Sequence, residues 1–108
     1  MSAGVGGGDL DPLIHAPARL RIMVTLSALD WRDSLSFPRL QELLGLTAGN
    51  LVTHLRKLEQ SGYVDTDRSG GGTTITLTMG GRAALQRYTA ALQDLLDSAR
   101  TDDYSGNR

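Results

Sequence analysis

The chain has 108 residues, which is enough to bury one modest hydrophobic core, and we expect a single folded domain. It contains no cysteine, which excludes disulfide bonds, catalysis by a thiolate and zinc sites built on cysteine. The formal net charge of −1 argues against the strongly basic character that is usual for proteins that bind nucleic acid.

The two ends of the chain are predicted to be flexible tails. Residues 1–9 are rich in glycine and lack the basic and apolar regions of a signal peptide. Residues 101–108 form the second predicted tail. No apolar run approaches the roughly 20 residues that cross a bilayer, so we expect no membrane span.

The first predicted helix runs from Pro17 to Leu29 and begins with a proline, as helices often do. His15, just before it, is a candidate cap for this helix, and a local structural role is favoured over metal ligation. Trp31, just after it, is predicted to be a hydrophobic plug rather than a platform that stacks a ligand. The apolar residues at core spacings are Leu20, Met23, Val24 and Leu26, with Ile22 on a neighbouring face.

Two further helices are predicted on either side of the turn Gly45-Leu46-Thr47. The short helix Phe37–Leu44 has Pro38 near its first position, where a missing N–H costs nothing. Thr47 is predicted to cap the longer helix that follows, and Gly62 to end it. This order is typical of a helix-turn-helix, in which the first helix supports the second in a DNA groove; two helices of an ordinary bundle are the alternative. The residues expected in the seam between them are Leu40, Leu43, Leu44 and Leu46.

The longer helix has two faces of different chemistry. Leu51, Leu55 and Leu58 recur at spacings of four and three, which predicts the face that packs on the core. His54, beside them, is assigned to packing or to a phosphate contact rather than to pH sensing. The other positions are small, polar or basic, as a helix that enters the major groove requires. The residues of this segment predicted to contact DNA are Thr47, Gly49, Asn50, Thr53, His54, Arg56 and Lys57.

Individual roles follow from the hydrogen-bonding patterns of the bases. Asn50 suits adenine and Arg56 suits guanine, whereas Thr53 suits a thymine methyl group or a phosphate. Lys57 is assigned to a phosphate, with a solvated lysine as the alternative. Gly49 would allow the helix N-terminus to approach the DNA backbone closely. The alternative for Asn50 is a structural bond to its own backbone.

A β-hairpin is predicted directly after the longer helix. Thr74–Thr78 alternates threonine with an aliphatic residue, the period-two pattern of a strand with one buried face. A loop with three consecutive glycines connects it to the segment Tyr63–Asp67. A phosphate-binding loop would lead from a strand into a helix, so nucleotide binding is disfavoured here. Arg68 is the one cation of the hairpin, lies beside two aspartates, and is a further predicted DNA contact.

A long terminal helix is predicted to begin after Thr78, which would cap it. An apolar stripe runs along this helix at alternating intervals of three and four residues, the spacing at which helices interlock. Such a stripe favours pairing with a second copy of the chain; the alternative is that the helix folds back on Pro17–Leu29 within a monomer. The residues predicted at the dimer interface are Leu85, Tyr88, Leu92, Leu95 and Ala99.

Charge is distributed unevenly along the chain. From Arg39 to Arg87 there are six lysines or arginines against four acids, whereas further aspartates cluster near the C-terminal end. A molecule with a near-zero total can therefore present a locally positive surface. We expect few phosphate contacts and a moderate affinity for DNA.

Three motifs occur in order along the chain: His-x-Pro-x-Arg-Leu-x-Ile at residues 15–22, Leu-Thr-x-Gly-Asn-Leu-x-x-His-Leu-x-x-Leu-Glu-x-x-Gly-Tyr-Val at 46–64, and Leu-Thr-x-x-Gly-Arg-x-Ala-Leu at 77–85. From about Leu13 to Leu96 the chain resembles the small winged-helix DNA-binding regulators related to the MarR and ArsR groups. The resemblance implies a cytoplasmic, dimeric transcriptional regulator without enzymatic activity, whose hairpin is the wing. Relatives often carry several basic residues in the wing. Having only Arg68, this wing is not expected to insert deeply into the minor groove.

The expected fold class is mainly α with a small β-hairpin (α+β), a winged helix-turn-helix with a long terminal helix for dimerisation. The domain organisation is predicted as a tail at 1–9, a DNA-binding domain at 10–78, a dimerisation helix at 79–100 and a tail at 101–108. The functional hypothesis is a homodimer that binds a partly palindromic operator in double-stranded DNA as a repressor. The alternative is a winged-helix module that docks a partner protein and does not bind DNA.

No catalytic residues, metal site or cofactor are expected, because His15 and His54 are the only histidines and the sequence suggests no third ligand for either. At 108 residues we expect no separate domain for sensing a ligand. A small-molecule effector would have to enter between the terminal helices and the DNA-binding core, near Trp31, Tyr88 and Met23.

Overall fold

A computed structural model of the chain describes residues 10–106, and their side chains as far as Ala99. Within that range helices dominate, and three short strands form one antiparallel sheet, as the predicted mainly α fold class requires. In chain order the elements are α1 (Pro12–His15), α2 (Pro17–Ser27), β1 (Ser34–Ser36), α3 (Phe37–Leu44), α4 (Ala48–Gln60), β2 (Val64–Asp67), β3 (Thr74–Leu77) and α5 (Met79–Gly106).

The two predicted tails, residues 1–9 and 101–108, lie wholly or partly outside the described range. Residues 1–9 and 107–108 lie outside the described residues. The backbone of α5 is helical to Gly106, so the helix continues beyond the end expected at residue 100. Across the described part of the chain, no helix combines the length and hydropathy that a bilayer span requires.

Helix α1 is a single turn that the sequence pattern did not reveal. The Asp11 carboxylate caps it by accepting a hydrogen bond from the backbone N–H of Leu13 at 3.0 Å. Ala16 adopts an extended conformation because the ring of Pro17 disfavours a helical residue before it, and this separates α1 from α2. The other Asp11 oxygen accepts a hydrogen bond from the Tyr63 hydroxyl at 2.6 Å, which ties α1 to the segment after α4 and raises the pKa of Tyr63.

His15 does not cap α2, so that prediction is wrong. The N-cap residue of α2 is Ala16, and no side chain bonds to the first turn. The His15 ring instead lies against α5, with its Nδ1 atom 2.9 Å from the Tyr88 hydroxyl. Since the imidazole joins two elements far apart in the chain, its role is structural but not local.

The buried face of α2 differs from the predicted one. Ile22 and Met23 are fully buried and Leu26 nearly so, whereas Val24 is 48% exposed. The sequence placed Val24 in the core and Ile22 beside it, so these two assignments are exchanged. Five apolar residues within seven positions cover more than one side of a helix, and periodicity alone cannot select between the sides.

Helix α3 and the following turn have the predicted local structure. The Ser36 hydroxyl accepts a bond from the Arg39 N–H at 3.2 Å, and Gly45 ends the helix in the left-handed conformation at φ +68°. Leu40 and Leu44 are buried against the core, and Leu46 packs partly against it. Leu43 is 45% exposed, so its assignment to the seam was wrong.

Helix α4 begins and ends where the sequence predicts. The Thr47 hydroxyl accepts a hydrogen bond from the Asn50 N–H at 3.1 Å, which caps the helix. At its other end, Gly62 adopts φ +78°, and its N–H bonds to the Glu59 carbonyl while the Tyr63 N–H bonds to that of Leu58. This pair of bonds is a Schellman motif, so the chain leaves α4 in a fixed direction.

The sheet has the strand order β1-β3-β2, so the predicted hairpin of β2 and β3 gains an additional strand. Ser34 pairs with Thr76 and Ser36 with Thr74. The turn before β1 places Trp31 on the surface with 54% of its area exposed, and the Arg32 guanidinium lies 4.4 Å from the centre of its ring. The prediction of Trp31 as a hydrophobic plug is therefore wrong.

The third sequence motif forms the junction between the sheet and α5. Thr78 caps α5 by accepting a bond from the Gly81 N–H at 2.8 Å, and its hydroxyl also donates to the Gly62 carbonyl at 2.6 Å. A Cβ atom at Gly81 would overlap the backbone carbonyl of Tyr63. The Arg82 guanidinium donates to the Ser27 carbonyl at 3.2 Å and so provides a hydrogen-bond donor for a carbonyl group at the C-terminal end of α2. This motif therefore fixes α5 to both α4 and α2.

The first half of α5 completes the hydrophobic core. Ala84, Leu85 and Tyr88 are buried in the same cluster as α2, α4 and the sheet, and α5 packs against α2. This contact is the one expected for a helix that folds back within the monomer. Leu85 and Tyr88, assigned from sequence to the dimer interface, are 7% and 4% exposed and are covered by their own chain.

Candidate nucleic-acid interface

The outward face of α4 is open to solvent along its length. Leu51, Leu55 and Leu58 are at most 5% exposed and pack on the core, which fixes the rotation of the helix about its axis. The opposite and flanking positions are exposed as that rotation requires. The exposed residues of α4 and its cap among those predicted to contact DNA are Thr47, Gly49, Asn50, Thr53, Arg56 and Lys57.

Several polar side chains on this face have no partner in the part of the chain that the structure describes. Among the described residues, none donates to or accepts from the side chains of Asn50, Arg56 or Lys57. The structural alternative for Asn50, a side-chain bond to its own backbone, is therefore not present in the described structure. The Thr53 hydroxyl donates to the Gly49 carbonyl at 3.0 Å. Because its hydroxyl is engaged in this bond, Thr53 offers its methyl group to a ligand. The face can thus offer an amide, a guanidinium and an ammonium group to a ligand.

Gly49 has no side chain although the fold would accept one. A Cβ atom built at Gly49 meets no other atom within 4 Å, whereas one at Gly81 overlaps a backbone carbonyl. Packing within the chain therefore accounts for the glycine at 81 but not for the one at 49. Gly49 is the second residue of α4, beside N–H groups that attract anions at a helix N-terminus. A molecule that approaches this backbone closely would explain the glycine.

A groove with a cavity of about 270 Å³ separates α4 from the hairpin. Arg56 and Arg68 line it from opposite sides, above an apolar floor that includes Val52. The Thr66 hydroxyl donates to the Glu59 carboxylate at 2.7 Å and accepts from the Arg68 guanidinium at 3.3 Å. The hairpin is thereby attached to α4, and the predicted contacts Arg56 and Arg68 are brought together.

The hairpin loop carries a negative charge next to Arg68. The Asp67 carboxylate accepts hydrogen bonds from the Ser69 hydroxyl at 2.6 Å and from its N–H at 2.8 Å, and these bonds lower the pKa of Asp67. The carboxylate is therefore ionised at neutral pH and partly offsets the one cation of the loop. A loop with this balance of charge is poorly suited to enter the negative minor groove.

His54 is half-buried on the flank of α4 that faces α2. Its Nδ1 atom lies 3.3 Å from a guanidinium nitrogen of Arg19, a residue that the sequence analysis did not assign to the site. Burial lowers the pKa of His54, and the positive charges of Arg19 and Lys57 lower it further. The His-x-Pro-x-Arg motif contains Arg19, but a contact across 35 positions of the chain is not visible in a local pattern.

The second half of α5 carries the exposed part of the predicted dimer stripe. Leu92 is partly buried, Leu95 is 49% exposed and Ala99 is exposed. Leu96, which is not one of the residues predicted at the dimer interface, is 55% exposed beside them. The stripe is thus divided into an internal half and a half that faces solvent.

The predicted effector cleft is not formed by the three residues assigned to it. Met23 is fully buried and Trp31 lies on the surface, so the two do not line one open cleft. Tyr88 does border a cavity of about 270 Å³, between α5 and the chain around Asp11 and Pro12, with Arg87 at its edge. Across the part of the chain that the structure describes, no group of three or more histidines and acids is placed to hold a metal ion.

Comparison with known proteins gives the same architecture. Residues 18–96 match the family model described as a winged helix DNA-binding domain. An uncharacterised protein of Methanocaldococcus jannaschii is 36% identical over an alignment of 80 residues that covers 70% of this chain and 84% of that protein.

Two solved structures extend the comparison to three dimensions. A transcriptional regulator homologue from Pyrococcus horikoshii is 31% identical with a TM-score of 0.72, and the match covers 81% of this chain and 87% of that one. MarR from E. coli superposes with a TM-score of 0.65 over 86% of this chain and 67% of its own, at 24% identity. The second likeness is one of fold alone.

Proposed function

The chain belongs to the winged helix DNA-binding domain family, and from that premise we propose that it is a transcriptional regulator that binds double-stranded DNA through α4. The family match confirms the resemblance to small winged-helix DNA-binding regulators that the three motifs indicated. The observation that carries the proposal is the uncovered outward face of α4. There, Asn50, Arg56 and Lys57 offer unpaired donors to a ligand, around a glycine that the fold does not require.

Insertion of α4 into a major groove explains this arrangement. A helix about 10–12 Å across fits a groove about 12 Å wide, with its outward residues at the base edges. We assign Asn50 to adenine, Arg56 to guanine, and Lys57 and Arg68 to phosphates. The competing function is a protein-docking module. A helix that docks proteins would more often expose an aromatic or aliphatic anchor.

The decisive experiment compares two glycines in equivalent positions. Gly49 and Gly80 are each the second residue of a helix capped by a threonine, in the sequences Thr47-Ala-Gly and Thr78-Met-Gly. A Cβ atom at Gly80 would make only ordinary contacts at 3.7 Å. Gly49→Ala and Gly80→Ala should therefore both stabilise the fold slightly, by up to about 1 kcal/mol.

The two variants should differ in DNA binding. Gly49→Ala places a methyl group where the DNA backbone approaches, and we expect the affinity for duplex DNA to fall by about tenfold, or 1.4 kcal/mol. Gly80→Ala should bind as the parent protein does. Fluorescence anisotropy with a labelled duplex, at low and then raised salt, measures the affinities of both variants. Equal affinities for the two variants, or no binding by the parent at any salt, would favour the protein-docking function.

We further propose that two copies act together as a repressor on a partly palindromic operator. The support for the pairing of two copies is the solvent-facing half of α5, where Leu95 and Leu96 are exposed on a helix that continues to Gly106. Such a surface is typical of one that a second copy covers. The two-fold symmetry of a dimer would require half-sites related in the same way. Sequencing the fragments that the protein selects from genomic DNA would reveal that symmetry.

Introducing a charged residue on the solvent-facing half of α5 tests dimerisation. Leu95→Asp should yield a particle with the mass of one chain in sedimentation, because a buried carboxylate without a partner is costly in an interface. Ala90→Asp is the matched control, since Ala90 is exposed on the opposite side of α5 and should leave the mass of two chains unchanged. A parent protein that sediments as one chain, or two variants that behave alike, would remove the dimer from the proposal.

A further inference from the structure

Arg19 is a basic residue that the fold directs toward α4. Its Nε atom donates to the Leu13 carbonyl at 2.7 Å, which fixes the guanidinium at the end of α1. One of its terminal nitrogens lies 3.3 Å from the Nδ1 atom of His54. Lys57 lies one turn along from His54 on the same flank of α4 and acts on the same imidazole. We call Arg19, His54 and Lys57 the flank cluster.

The flank cluster gathers positive charge without a counterion. Neither Arg19 nor Lys57 forms an ion pair with a carboxylate among the described residues. The charged groups that act on His54, from α2 and from its own helix, are both cations. Like charges held together oppose folding. An anion bound between them would remove that cost.

The position of the cluster indicates which anion. Helical periodicity places His54 and Lys57 on one flank of α4, whereas Val52 and Glu59 lie on the other, along the groove to the hairpin. A helix in the major groove has a phosphate backbone on each side of it. Arg68 lies on the side of the hairpin, and the flank cluster lies on the opposite side.

We propose that the flank cluster binds a backbone phosphate of the DNA strand that passes α4 on the side away from the hairpin. The inference rests on the proposed function and deepens it by assigning a contact to α2. Arg19 donates from its terminal nitrogens while its Nε bond to Leu13 holds it in place. Lys57 supplies the second cation.

A bound phosphate also changes the protonation of His54. In the free protein, burial and two cations lower the pKa of this histidine, so the imidazole is neutral at pH 7. The phosphate offsets both cations and takes the terminal nitrogens of Arg19 from His54, so Nδ1 can gain a proton, the pKa of His54 is higher in the complex and binding takes up a proton. The affinity for DNA should therefore rise as the pH falls from the pKa of His54 in the complex toward its lower pKa in the free protein.

Salt dependence tests the phosphate contact. Arg19→Gln should reduce the slope of log affinity against log salt by about 1, since one phosphate contact is lost. Arg21→Gln removes the same charge from an exposed position on another side of α2 and should leave the slope unchanged. Arg19→Lys keeps the charge and should keep the slope, even if the lost bond to Leu13 lowers the melting temperature.

The pH dependence provides an independent measurement. The parent protein should bind duplex DNA more tightly at pH 6 than at pH 8, and His54→Gln should lose most of that difference. His15→Gln is the matched control, because His15 contacts Tyr88 rather than the flank cluster. If Arg19→Gln keeps the salt slope of the parent protein and only lowers the melting temperature, the role of Arg19 is structural. That result would overturn the inference and leave the proposed function intact. If the parent protein does not bind DNA at any salt, both are overturned.

Discussion

Replacing Arg56 by alanine is expected to weaken binding to the preferred duplex by about 1–3 kcal/mol and to relax the base preference at one position. Arg56 is exposed on the outward face of α4, and its guanidinium has no partner among the described residues. A guanidinium can donate two bonds to the O6 and N7 atoms of guanine, which no other base pair accepts in the same way. Loss of these bonds removes a specific contact.

Lys57→Ala is the matched comparison. Lys57 follows Arg56 in the chain and is turned toward the flank of α4, so its loss should weaken all sequences alike and lower the salt slope. Affinities for a set of duplexes that differ at single positions would separate the two effects. Uniform weakening by Arg56→Ala, together with a changed base preference for Lys57→Ala, would show that α4 is rotated in the groove from the orientation proposed.

Short-range patterns were sufficient to predict the central part of this fold. A threonine cap, a leucine at spacings of four and three, and a glycine stop are all signals within α4 itself, and each has its counterpart in the structure. The outward face of α4 then follows from the buried one, because the helix has a single rotation that buries Leu51, Leu55 and Leu58 together.

Contacts between distant segments could not be predicted in the same way. Strand β1 is a Ser-Leu-Ser segment with little pattern of its own, and it exists because β3, about 40 residues later, supplies its hydrogen bonds. Arg19 meets His54 across a similar separation. The exposure of Trp31 depends on where the turn after α2 leaves the core, which no local spacing encodes.

The terminal helix shows a limit of periodicity. Its stripe from Leu85 to Ala99 has one continuous spacing, but the first half packs on α2 and the second half faces solvent. The spacing of apolar residues predicts that one face of a helix is buried, but it does not identify the segment that buries it. The sequence therefore assigned Leu85 and Tyr88 to a partner although the chain's own core covers them.

The largest effect on stability is expected at the junction between α4 and α5. Gly81→Ala would place a methyl group against the carbonyl of Tyr63, which also accepts a hydrogen bond from the Thr78 N–H at 3.0 Å. The nearest obstacle is the Tyr63 backbone, which cannot move aside as the end of a flexible side chain could, and the buried Leu77 side chain lies against the same position. We expect a loss of about 1–3 kcal/mol, as overpacking of a close contact usually costs. For a domain of this size, each kcal/mol lowers the melting temperature by about 4–8 °C.

Gly80→Ala separates this steric effect from helix propensity. Both substitutions replace a glycine by a better helix former in the same turn of α5, but position 80 has room for the methyl group. Thermal unfolding at one protein concentration should show Gly80→Ala at or above the parent and Gly81→Ala well below it. If the two melted together, the close approach of α5 to Tyr63 would not be what positions these helices. Since Tyr63 directly follows Gly62, loosening this junction also frees the C-terminal end of α4, so a folded Gly81→Ala protein should bind DNA less tightly without any change on the DNA-facing surface.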